Sequence, residues 1–204
     1  MYHVKELFLT LQGEGYRSGT AAIFCRFSGC NLWSGLEEHR AEARCSFCDT
    51  DFVGVDGVNG GRYTDVSLVE KIVELWPVVG GGLVVFTGGE PSLQLDDGLV
   101  GRLHGVGFEC AIETNGTNVL PGGVDWVCMS PKTGDIVVTS GNELKFVYPQ
   151  RILSPEDFVE MDFEHFFLQP LSDGEDHVGE VMDYIYAHPR WRLSLQTHKY
   201  LGIP

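Results

Sequence analysis

Three of the six cysteines in this 204-residue chain stand where ordinary packing does not call for them. Cys30, Cys45 and Cys48 fall in a stretch with little hydrophobic periodicity, spaced C-x14-C-x2-C. A C-x2-C pair on a loop with a third cysteine nearby is metal chemistry wherever thiols stay reduced. Two centres fit the thiols taken alone. One is a tetrahedral zinc with His39, inside the spacer, as fourth ligand. The other is an iron–sulfur cluster held by three thiolates, with one iron left open. Cys25, Cys110 and Cys128 instead alternate with apolar residues in strand-like runs and read as small core side chains. Phe47 places an aromatic directly before Cys48, and Thr87-Gly88-Gly89-Glu90-Pro91 follows a buried apolar run. Glycines in such a turn let a ligand approach the backbone closely. With the cysteines, that turn favours the cluster.

The elements that must position these groups alternate. Residues 4–11 and 21–27 read as strands joined by turn chemistry at 12–15 and 18–19. Residues 29–62 form a long irregular stretch, a length that marks a functional loop inside a compact domain. Beyond it the chain alternates short apolar strands (83–86, 108–112, 126–129, 144–148, 166–168, 192–195) with helical patterns. Ser67 and Glu70 have capping-box spacing before one helix, Ser92 can cap a second, and Ser154-Pro155 opens a third. A fourth, carrying Val178, Val181, Met182 and Ile185, must end before Pro189.

Short apolar strands separated by helices predict a parallel sheet covered by helices. Between 113 and 125, and between 131 and 142, the connections are too short and too rich in Gly and Pro for a crossover helix. The expected fold is therefore α/β: a trimmed, partial (β/α) barrel in a single domain over 1–204, with an elongated loop at about 29–62. Polar residues cluster just after five strands, around 87–90, 113–115, 130–132, 169 and 196–199. Barrels of this kind place their active site at the C-terminal strand ends.

Composition narrows the partners. A formal net charge of -15 argues against nucleic acid, which needs a clustered cationic face. No apolar run approaches the roughly 20 residues of a membrane span. The first residues lack the basic and apolar regions of a secretory signal, so a cytoplasmic location with reduced thiols is expected.

The motifs together resemble the radical S-adenosylmethionine (SAM) superfamily and, within it, the 7-carboxy-7-deazaguanine synthases of queuosine and deazapurine biosynthesis. The resemblance runs through Leu11-Gln12-Gly13-Glu14-Gly15, Phe24-Cys25-Arg26-Phe27, Gly29-Cys30-Asn31-Leu32-Trp33 and Cys48-Asp49-Thr50-Asp51. It continues through residues 87–91, 112–116, 130–132, 141–145 and 196–204. The first cysteine gap departs from the superfamily's common C-x3-C-x2-C, as in one branch of these synthases.

The resemblance implies a [4Fe-4S] cluster on Cys30, Cys45 and Cys48 and SAM on the open iron. SAM would be held by Phe47, Asp49, Gly89, Glu90, Glu113, Asn115, Ser130, Lys132 and Gln169. It implies Mg2+ at Thr50, although Asp49 or Asp51 is the more natural choice by ligand chemistry. The implied reaction is radical ring contraction of 6-carboxy-5,6,7,8-tetrahydropterin to 7-carboxy-7-deazaguanine with loss of ammonia. The pterin would meet Leu11, Gln12, Gly13, Glu14, Arg26, Thr87, His198 and the carboxylate of Pro204. Arg26 can offer a bidentate fork to the substrate carboxylate. A homodimer reduced by a protein such as flavodoxin or ferredoxin completes the expectation. Two rivals share parts of the pattern: another small radical SAM enzyme, such as a glycyl-radical activase, and a zinc-stabilised, non-catalytic binding module.

Overall fold

The computed structural model describes all of residues 1–204. Its nine strands are β1 (Tyr2–Leu11), β2 (Ala21–Phe27), β3 (Gly61–Tyr63), β4 (Leu83–Gly88), β5 (Glu109–Thr114), β6 (Trp126–Met129), β7 (Ser140–Tyr148), β8 (Asp162–Pro170) and β9 (Trp191–Leu193). They form one sheet in the order β3-β1-β2-β4-β5-β6-β7-β8-β9. β1 runs antiparallel to both β2 and β3, and every pairing from β2 onward is parallel.

Side chains alternate across such strands, so each face can be read off the burial. On one face Val84 and Phe86 of β4 and Cys110 and Ile112 of β5 join a core under α1 (Asp65–Leu75) and α2 (Asp97–Gly105). Leu144 and Phe146 of β7 and Phe166 and Leu168 of β8 build a second core with α3 (Val178–Ala187). The opposite face begins with the small cluster Ala22, Leu83, Val85 and Ala111 and becomes polar toward the strand ends at Glu113 and Lys145. No helix bridges β5 to β6 or β6 to β7, so the barrel is partial, as the Gly- and Pro-rich connections predict. No helix is long and apolar enough to cross a membrane.

Three helix starts differ from expectation. Ser67 is not the cap of α1 but its third residue: Thr64 caps the helix, and each side chain accepts from the other's backbone N–H. Thr64-x-x-Ser67 forms the same box a turn earlier, which adds Leu68 to the buried face. Ser92 lies in a short 3-10 turn, Pro91–Leu93, and α2 is capped by Asp96, which accepts from the Leu99 N–H. After Ser154-Pro155 only a 3-10 turn, Pro155–Phe158, forms, because β8 begins four residues later at Asp162. Residues 197–201, expected as a polar strand exit, wind into α4 (Thr197–Leu201).

Candidate active site

The parallel strands end on one side, and a cavity of about 440 Å³ opens there. The predicted site residues converge on its wall: the three loop cysteines, Thr50, the groups assigned to SAM and those assigned to the pterin, down to Pro204.

The limb of the first cysteine is fixed by the turn after β4. The Glu90 N–H donates to the Gly29 carbonyl at 2.8 Å. A Cβ on Gly89 would stand 1.8 Å from that same oxygen, so only glycine fits. The Glu90 carboxylate, 1% exposed, accepts from the Ser92 N–H, the Thr114 hydroxyl and the Asn115 N–H. It is consumed in building the turn, which leaves the backbone of residues 89–90 as what the turn offers the cavity.

Burial pushes the Cys45 thiol up to about 11 and also raises Cys30, against which the Leu32 and Trp33 amides work. Leu32 N–H points at the Cys30 sulfur, 3.4 Å away. Partly buried thiols facing amide donors suit a metal centre that displaces their protons and is tuned by hydrogen bonds to sulfur. The three sulfurs do not close to within 4.8 Å of one another. One tetrahedral zinc would ask for sulfurs about 3.8 Å apart, from its Zn–S bond of about 2.3 Å. His39, the candidate fourth zinc ligand, is exposed and hydrogen-bonded to Ser34 at 2.9 Å. The donor set is thus three thiolates, with His39 turned to Ser34, which suits an iron–sulfur cluster that leaves one iron open.

Deeper in the barrel, β5, β6 and β7 bring Glu113, Cys128 and Glu143 into register, with Lys145 one inward position further on. Nothing in the sequence pattern assigns Lys145 a role; the structure makes it the centre of the inner face. Its ammonium, 4% exposed, bridges Glu14 and Glu113, each at 2.5 Å. The outer oxygens of those carboxylates accept from Gln196 and Gln12, both at 2.9 Å. Burial works against every charge here. The two carboxylates nevertheless outweigh it and hold the Lys145 proton well above the ordinary lysine range. Burial likewise opposes ionisation of Glu14, and the Lys145 charge overcomes it to lower that carboxyl. Glu143, whose Oε2 accepts from the Tyr16 N–H, is raised, mainly by burial.

The remaining candidates close the mouth. Arg26 and Glu6 are cross-strand neighbours, and the Arg26 Nε donates to the Glu6 carboxylate at 2.7 Å while its side chain still lines the cavity. Lys132 donates to Ser130 at 2.5 Å and lies 5.7 Å from the centre of the Phe47 ring; burial lowers its pKa. Asp49 pairs with Lys199 at 3.0 Å, and Gln169 accepts from Ser194 at 2.9 Å. α4 docks on the Gln12–Glu14 turn: Thr197 N–H donates to the Gly13 carbonyl, and a Cβ on Gly13 would lie 2.0 Å from the His198 ring. The Thr10 hydroxyl donates to the Pro204 carbonyl at 2.7 Å. Lys5, also missed, pins the segment after Cys48 to β1 through Asp51 at 2.9 Å and Asp56 at 2.8 Å.

A partial α/β barrel with three loop thiols over a polar cavity at its strand ends defines a radical SAM-type enzyme. No protein-family profile matches the chain. It is 57% identical to the 7-carboxy-7-deazaguanine synthase of Caulobacter vibrioides, over 100% of this chain and 99% of that one. It is 56% identical to the synthase of the same name from Bordetella pertussis, with the same coverage. Its fold matches the crystal structure of QueE from Escherichia coli at a TM-score of 0.72 and 28% identity, covering 97% of this chain and 94% of that one. The chain belongs to the 7-carboxy-7-deazaguanine synthase family.

Proposed function

We infer that this protein is a 7-carboxy-7-deazaguanine synthase, a radical SAM lyase that contracts the ring of 6-carboxy-5,6,7,8-tetrahydropterin with loss of ammonia. The observation that carries the reading is full-length identity of 54–57% to synthases of that name, together with one cavity lined by both the loop thiols and the inward carboxylates. A glycyl-radical activase has no need of the Gln12–Glu14 turn buttressed by α4. A non-catalytic zinc module has no need of the cavity.

In this reading Cys30, Cys45 and Cys48 hold a [4Fe-4S] cluster, and the backbone of residues 89–90 with Ser130, Lys132, Asn115 and Gln169 receives SAM. Phe47 packs against the adenine. When bound, the cluster and SAM together supply the one-electron chemistry that starts hydrogen abstraction. The chain supplies the rest. Arg26 offers a cation to the substrate carboxylate inside a protein of net charge -15. Gln12 and the backbone of Leu11 and Gly13 present donors and acceptors to the pterin edge. Glu14, kept ionised by Lys145, can accept from the guanidine-like amino edge. Thr87, His198 and Pro204 complete the contact, and Thr50 would hold Mg2+ together with the substrate carboxylate. Walls of Phe8, Phe24 and Val147 around these polar groups help to exclude water.

The reconstituted protein, incubated without oxygen with SAM, a reductant, Mg2+ and the carboxy-tetrahydropterin, is expected to release 7-carboxy-7-deazaguanine, read by mass spectrometry. Accumulation of 5′-deoxyadenosine without the deazaguanine would overturn the substrate assignment. A colourless protein with one zinc per chain would overturn the radical reading.

A further inference from the structure

The spacer of 14 residues between Cys30 and Cys45 is not a passive loop. It winds through a 3-10 turn, Glu37–Glu42, and returns Arg40 to the cysteines. The Arg40 guanidinium lies over the Trp33 ring, 4.1 Å from its centre. Its Nη1 donates to the Ser46 carbonyl at 2.9 Å and to the Cys48 carbonyl at 3.0 Å. Its Nε and Nη2 grip the two oxygens of Glu37, three residues back on the same turn.

One side chain thus touches both limbs of the thiol set. Trp33 follows Cys30 and is anchored in turn: its indole N–H donates to the Leu36 carbonyl, and its ring meets Phe52 edge-on at 5.5 Å. Ser46 and Cys48 belong to the C-x2-C limb. No strand or α-helix joins the limbs here; the backbone ties are bonds from Arg44 and Cys45 to the Leu32 carbonyl, at 3.0 and 3.4 Å, and from Gly29 to the Phe52 carbonyl at 3.3 Å. Only a planar, permanently charged group can stack on an indole, fork a carboxylate and bridge two carbonyls at once, and lysine lacks that plane.

We propose that Arg40 is a positioning residue that clasps the C-x2-C limb to the Cys30 limb, holding the three thiolates at the spacing of a cluster and slowing its loss. The proposal rests on the cluster reading of the three thiols. Its weight comes from two charge-assisted bonds to carbonyls on the ligand limb, the stronger kind of hydrogen bond.

The test follows cluster loss from the full-length, reconstituted protein under a strong iron chelator, by decay of the visible absorbance. Arg40→Gln is expected to lose its cluster about tenfold faster than the unsubstituted protein, as expected for loss of charge-assisted bonds. Arg40→Lys, keeping charge without the plane, is expected to lie close to Arg40→Gln. The thermal midpoint of the metal-free protein should be the same in all three, because the clasp joins limbs that only the cluster loads. Glu37→Gln, an exposed change that frees one side of the fork, is expected to accelerate loss about threefold and serves if Arg40→Gln is poorly recovered. Equal decay rates overturn the proposal, as does full rescue by lysine or a metal-free midpoint that falls in step with the rate. If the unsubstituted protein binds no iron, the cluster reading fails and the clasp with it; if it binds iron and Arg40→Gln keeps it as long, only the clasp fails.

Discussion

The cavity has two walls built by different physics. The thiol wall is irregular backbone from Gly29 to Asp51, held by carbonyl contacts, by Arg40 and by two lysines, Lys5 and Lys199, with Cys30 and Cys48 only half-buried. The wall facing it is strand: Glu113, Glu143 and Lys145 project from β5 and β7 into a buried ion network. The first wall can relax around an inorganic group that brings its own rigid geometry. The second must be rigid in advance, because an organic substrate is read by fixed donors and acceptors. The two should therefore respond oppositely when broken: the loop should lose its cargo and keep its fold, and the strand wall should lose stability first.

Cys48→Ala is the extreme case for the loop. It is expected to abolish iron binding and product formation while leaving the unfolding free energy of the metal-free chain within about 1 kcal/mol, since the side chain packs against a cavity and not a core. Iron analysis and chemical denaturation read the two halves. A large loss of stability in the metal-free chain would show that the thiol limb is part of the fold.

How far each wall was legible follows from the same contrast. Residue type and spacing single out the three loop thiols, the Gly-Gly-Glu-Pro turn and the Gln12–Glu14 turn in the sequence itself, and the fold brings them to one cavity. The parallel sheet and the absence of two crossover helices were legible as well, from runs such as Leu83-Val84-Val85-Phe86 and from the Gly- and Pro-rich gaps. Lys145 was not given a role, because its importance lies in partners 131 and 32 residues away. The only local signal was Glu143-x-Lys145, two charges at strand period inside an apolar segment, which puts both on one face. Arg40 was hidden for the opposite reason: its partners are near in sequence, but an irregular loop has no period to reveal which side chain turns inward. The helix starts were misplaced where two capping patterns overlapped, Thr64 with Ser67 and Ser92 with Asp96.

Lys145→Met tests the strand wall. Removing the cation leaves two buried carboxylates uncompensated, which costs about 3–5 kcal/mol at neutral pH. The pH dependence carries the sign. In the unsubstituted protein Glu14 is held low, so its ion pair stabilises the fold above the ordinary carboxylate pKa of about 4.3 and that contribution fades as pH falls through the depressed value. In Lys145→Met the carboxyl is buried without a counter-charge, so protonation relieves the cost. The stability gap between the two proteins should therefore narrow as pH is lowered from 7 toward 4, read by urea denaturation at each pH. A gap that stays constant would mean the lysine contributes packing and not charge.

Glu143 sharpens the same wall with a smaller effect. Its carboxyl is raised, first by burial, so the folded state favours the protonated form. Its contribution is present below the ordinary carboxylate pKa and is lost as pH rises through the raised value. Glu143→Gln keeps an oxygen for the Tyr16 N–H and removes the titration. Relative to the unsubstituted protein, the variant should gain stability as pH rises above the ordinary carboxylate value of about 4.3, by about 1 kcal/mol or less, read by equilibrium unfolding at each pH. No change in the difference across that range would place the buried proton elsewhere in the network.

Arg44 supplies the smallest effect and the most exacting comparison, because it shares the loop and the residue type of Arg40 but not its position. It pairs with Asp135 across open solvent, with side chains 51% and 74% exposed. Exposed pairs of this kind contribute about 0–1 kcal/mol and are screened by salt. Its guanidinium is engaged with Asp135, while the bond to the Leu32 carbonyl comes from its backbone N–H and survives truncation. Arg44→Ala is therefore expected to shift stability by less than about 1 kcal/mol. Its cluster-loss rate should match the unsubstituted protein. If Arg44→Ala released the cluster as fast as Arg40→Gln, the thiol wall would be held by the summed charge of its loop. If only Arg40 matters, the wall is held by one planar group bridging two limbs, and the irregular region then has a single mechanical centre, as the strand wall has in Lys145.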